Sequence, residues 1–60
     1  MKKMSKKAVA AAVQNAVNGF RIPMMSIPKL GRELEAAVLA GQSEAELKAI
    51  VAAFPGVEVA

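Results

Sequence analysis

Proline and glycine cut this 60-residue chain at Gly19, Pro23, Pro28, Gly41 and Pro55-Gly56. A proline pushes the residue before it out of the helical region. An isolated glycine weakens the interior of a helix or strand. The cuts therefore leave room for short elements only. Within the longer uncut stretches the apolar residues recur at the spacing of a helix.

The spacing predicts a first helix over 6–18. Val9, Val13, Ala16, Val17 and Phe20 fall on one stripe, Ser5 is placed to cap its start, and Asn18-Gly19 to stop it. A second helix is expected over 28–40, with Pro28 in its first turn and Leu30, Leu34, Ala37 and Val38 as its apolar stripe, widened by Leu39. Gly31 interrupts that helix at a cost of about 1 kcal/mol relative to alanine, and Gly41 ends it. A third helix is expected over 43–54. Ser43 and Glu46 have the spacing of a capping box, and Leu47, Ile50, Val51 and Phe54 give the buried face.

Residues 20–27 resist a helical reading, because Pro23 and Pro28 bracket Met24, Met25, Ser26 and Ile27. An extended, stiff linker is preferred there over an edge strand, since Pro23 lacks the N–H that a central strand needs. The chain is thus expected to be mainly α: a single three-helix domain over 1–60, with an extended Pro/Met segment between the first two helices. Residues 1–5 would form a basic flexible arm. Residues 57–60 would form a tail, either a stub of strand or a cover laid over the core.

Such a chain has a thin core. At this length about 60% of the unfolded surface is buried, and small domains usually add disulfides, a metal or self-association. Cysteine, histidine and aspartate are all absent, which removes the first remedy and most of the second. A homodimer is expected on this ground. No cofactor is expected. Enzymatic function is not expected either, because the side chains suited to proton transfer near neutral pH are missing and Ser5 and Ser43 are claimed by caps. No catalytic residue is assigned.

Charge is distributed unevenly along the chain. Lys2, Lys3, Lys6, Lys7, Arg21, Lys29 and Arg32 face no acidic residue before Glu33, whereas from Glu33 onward five glutamates oppose Lys48. That split favours contact with a larger partner over chemistry of the chain's own. The leading expectation is a small accessory or regulatory protein. It would bind a larger protein through an apolar patch of Ile22, Met24, Met25 and Ile27, since methionine-rich surfaces adapt to partners.

The alternative is a DNA-binding regulator whose contacts are Lys2, Lys3, Lys6, Lys7, Arg21, Lys29 and Arg32. A strand over 20–27 followed by two helices would suit a ribbon-helix-helix-like dimer. Against it stand Pro23 and the acidic first turn of the third helix, Glu44 and Glu46. Membrane action is not expected. The apolar run from Ala8 to Val13 is too short for a signal peptide or a spanning helix. A cytoplasmic location is the default expectation.

Overall fold

The computed structural model describes residues 4–60. Three helices, α1 (Lys6–Val17), α2 (Ile27–Leu39) and α3 (Glu44–Ala53), carry the fold. Two short strands, β1 (Phe20–Arg21) and β2 (Glu58–Val59), pair antiparallel beside them. The protein is a mainly α small domain, and each helix lies within a residue of the bounds its spacing and caps predict.

Local chemistry sets those bounds. The Ser5 hydroxyl accepts from the Ala8 N–H at 3.1 Å and closes the open first turn of α1. At the start of α3 the Ser43 hydroxyl accepts from the Glu46 N–H at 3.2 Å, while the Glu46 carboxylate accepts from the Ser43 N–H at 2.8 Å. Both bonds of the capping box are present. α2 ends in a Schellman arrangement: the Gln42 N–H reaches the Ala37 carbonyl at 3.1 Å and the Gly41 N–H reaches Val38 at 3.0 Å. Gly41 makes this turn at φ 86°, a conformation that side chains disfavour.

Between β1 and α2 the chain is extended at Pro23, with φ −58° and ψ 138°, and then Met24–Ser26 winds into one 3-10 turn. The Ser26 N–H donates to the Pro23 carbonyl at 2.9 Å, and the Ile27 N–H donates to Met24. That turn runs directly into α2, which therefore starts at Ile27 with Pro28 in its first turn. Residues 20–27 thus hold two residues of strand and a helical turn, and no continuous ribbon. The partner of β1 is the chain's own carboxyl end: Phe20 pairs with Val59, Arg21 with Glu58, and the Ala60 N–H reaches the Gly19 carbonyl at 2.9 Å.

The return of the carboxyl end depends on a turn after α3. The Val57 N–H donates to the Phe54 carbonyl at 3.2 Å across Pro55-Gly56, and Gly56 has φ 83°. This is the sequence and sign of a type II turn. A Cβ on Gly56 would lie 3.1 Å from Cγ of Pro23, so the turn also seats the stiff segment.

Each helix contributes to one core. Val9 and Ala16 of α1, Leu30, Leu34, Ala37 and Val38 of α2, and Leu47 and Val51 of α3 are buried. Phe20, Ile22, Phe54 and Val57 pack half-buried against this cluster. Of these four, Phe20 lies in β1, while Ile22, Phe54 and Val57 lie in the segments that lead out of β1 and into β2. Among the described residues no polar or charged side chain is buried. Leu39 departs from expectation. It sits one position past Val38, about 100° round the helix, and is 61% exposed rather than part of the core stripe.

Candidate interaction surface

The apolar patch read from the sequence divides in two. Ile22 turns inward and packs against the core. Met24 and Met25 point away and are 85% and 94% exposed. Ile27 is half exposed and faces the cleft between α1 and α2. The methionines are therefore not core fillers. They stand on a turn held from both sides, by Ile22 in the core and Pro23 against Gly56 before it, and by α2 after it. Few of the turn's backbone torsions remain to be ordered on contact, because proline fixes φ at Pro23 and Pro28 and the 3-10 bonds fix the residues between.

Arg21 lies opposite Glu58 in the strand pair, where cross-strand Cβ atoms are about 5 Å apart. Lys29 and Glu33 are one turn apart on α2, and so are Arg32 and Glu35. Three of the expected phosphate-contacting residues thus each have a glutamate one helical turn or one strand away. Lys6 and Lys7 are exposed in the first turn of α1. Lys2 and Lys3 lie outside the described residues.

A second surface was not anticipated. An open groove of about 790 Å³ runs between α1 and α2, lined on one side by Val9, Ala10 and Val13 and on the other by Ile27, Gly31, Glu35 and Leu39. Its end towards Ile22 continues into a smaller hollow over Leu30 and Leu34. The sequence signal for it was the four-residue spacing of Ile27, Gly31, Glu35 and Leu39, a row offset from the buried stripe. Gly31 forms part of the wall. It is half buried, its backbone is right-handed helical, and nothing lies within 4 Å of where its Cβ would be.

Electrostatic perturbation is confined to a structural role. The Glu46 carboxyl is held below its ordinary value, first by the Ser43 N–H and then by the Ser43 hydroxyl, against a small opposing effect of desolvation. Among the described residues no cluster of carboxylates has the arrangement of a metal site. No helix of the described chain is long and apolar enough to cross a membrane. No known protein family, curated protein or solved structure matches this chain.

Proposed function

We propose that this chain is a non-catalytic accessory or regulatory protein that binds a larger protein through the Met24–Met25 turn. The observation that carries the reading is the exposure of these two side chains, 85% and 94%, on a backbone held by the core and by two prolines. Burying a methionine side chain fully is worth about 1.5–3 kcal/mol. The pair can therefore act as a small energetic centre for an interface, and an unbranched thioether fits pockets of varied shape. Pre-ordering of the turn lowers the entropic cost of contact. Ile22 supports the turn from within instead of touching the partner.

The DNA-binding alternative receives less support. It needs a concentrated positive face, and Arg21, Lys29 and Arg32 each have a glutamate as neighbour.

Capture from nuclease-treated lysate tests the reading. The wild-type chain is expected to retain a stoichiometric protein through about 0.5 M salt, where exposed charges are strongly screened. Met24→Ser/Met25→Ser is expected to lose that protein while keeping its unfolding free energy within about 0.5 kcal/mol, as surface substitutions do. Equal capture by the double variant refutes the site. Loss of every protein partner, with salt-dependent duplex binding by the purified chain, refutes the function.

A further inference from the structure

α2 carries an exposed row that the core does not use. Ile27, Gly31, Glu35 and Leu39 are spaced four apart and share a face, and all four line the groove together with Arg32. Ile27 and Leu39 are 53% and 61% exposed. They stand at opposite ends of the row, about 18 Å apart along the helix. Between them lies Gly31. Its backbone is ordinary helix, and beyond its chain neighbours and the adjoining helix backbone no atom lies within 4 Å of the place of its missing side chain. Neither turn geometry nor packing within the chain explains a residue that weakens the helix. Close approach by another backbone does.

We propose that this row is the interface of a homodimer in which two α2 helices cross antiparallel about a two-fold axis. The row is an i, i+4 ridge. Interdigitation of two such ridges sets helices at about 50°. Helices crossing at that angle touch at the centre and splay at the ends, which calls for a small residue in the middle and large ones outside. Gly31 and the pair Ile27 and Leu39 meet that requirement.

A two-fold interface must also be complementary to itself. With the axis passing midway between Gly31 and Glu35, Ile27 of one copy faces Leu39 of the other, and Gly31 faces Glu35. Each Arg32 then stands beside the other copy's Glu35, so both charge contacts are between opposite signs. The face is small. A helix about 20 Å long and 10–12 Å across presents only a few hundred Å², less than the roughly 800 Å² per partner of a standard stable complex. The dimer therefore dissociates on dilution. The proposal does not rest on the Met24–Met25 reading, because those side chains are outside the row.

Sedimentation equilibrium of the full chain, from low to high micromolar concentration, tests it. The wild type is expected to pass from monomer to dimer. Gly31→Leu fills the crossing point and is expected to weaken association by about ten-fold or more, while the dilute protein keeps its helical circular dichroism and has a thermal midpoint no lower than that of the wild type. Arg32→Glu and Glu35→Arg are each expected to weaken association, and the double exchange Arg32→Glu/Glu35→Arg to restore it. Met24→Ser/Met25→Ser is expected to leave it unchanged. A wild-type monomer across the whole range overturns the proposal, and so does a folded Gly31→Leu chain that still dimerises normally. Failure of the double exchange to restore association overturns the two-fold register, and loss of association in the methionine variant places the contact on the wrong surface.

Discussion

Replacing Gly31 with alanine is expected to make the isolated chain more stable. The residue lies inside α2, four positions after its start at Ile27. Glycine there is less favourable than alanine by about 1 kcal/mol, because its unfolded backbone has more freedom to lose. The new methyl group meets no atom within 4 Å, so no clash offsets the gain. Globular proteins hold roughly 0.05–0.15 kcal/mol per residue, which for 60 residues is about 3–9 kcal/mol. The change is therefore a sizeable fraction of the whole.

With a urea slope of about 1 kcal/mol per molar for a domain this small, the midpoint should rise by about 1 M. The thermal midpoint should rise by about 4–8 °C. Urea titration followed by far-ultraviolet circular dichroism measures this. The protein must be dilute, because a self-associating chain draws added stability from its dimer. At high concentration the advantage of Gly31→Ala should shrink, since the methyl group would sit in the crossing of the two helices. A midpoint that is unchanged or lower in dilute solution refutes the reasoning, and would mean that the wall of the groove is closed where the structure has it open.

At Gly56, which has a close neighbour, the same exchange has the opposite sign. Gly56→Ala places a side chain at φ 83° and 3.1 Å from Pro23. The left-handed conformation alone costs about 1–2 kcal/mol, so the thermal midpoint should fall, and a rise would exclude the turn. Ser43→Ala removes the hydroxyl that caps α3 and should lower stability by about 0.5–2 kcal/mol in urea titration; an unchanged midpoint would mean that the cap is not formed. The Glu46 carboxyl is held low by the Ser43 N–H, so its contribution to stability is present above the ordinary carboxylate range and is lost as pH falls through its folded value. Glu46→Gln should flatten that acid-side loss in a series of urea midpoints, and identical slopes for the two proteins would remove Glu46 as the cause.

The helix bounds were legible because their causes act within a turn or two. Ser5, Ser43 with Glu46, Pro28 and Gly41 each determine bonds to residues nearby in the chain, and the apolar stripes of α2 and α3 follow from period alone. Contacts between distant residues were not legible in the same way. Nothing local in Phe20 and Arg21 specifies that they pair with Val59 and Glu58, and the fit of Pro23 against Gly56 depends on where a turn after α3 happens to return. The charge pattern shows the same limit: Arg21 belongs to the basic half in sequence and stands opposite Glu58 in space.

The candidate surface shows the same division. The alternation of Ile22 and Met24 suits a strand with both side chains on one face, yet the 3-10 turn begins at Met24 and sends the two in opposite senses. Leu39 was grouped with the core because it adjoins Val38. One residue along a helix is a rotation of about 100°, enough to move a leucine from core to groove. By helix propensity alone Gly31 is a flaw in α2. The open space beside it is what distinguishes this glycine from a mere breaker.

The two proposed surfaces reinforce one another in a way that either alone does not. The methionine turn precedes the first residue of α2. In an antiparallel pair of α2 helices the two turns would therefore stand at opposite ends of the assembly, separated by about the 20 Å length of the helix or more. Two methionine side chains are a small anchor, and a single contact of that size leaves rapidly. Two anchors on one dimer can engage a partner that is itself repeated or two-fold. The second contact then forms at the high effective concentration that the first provides, so avidity can exceed the single affinity by about 10²–10⁴. On this reasoning Gly31→Leu, which touches neither methionine, should weaken capture of an oligomeric partner and leave binding to an isolated partner subunit unchanged. Equal losses for both forms of the partner would show that the groove itself touches the partner, and that the dimer is not the source of the effect.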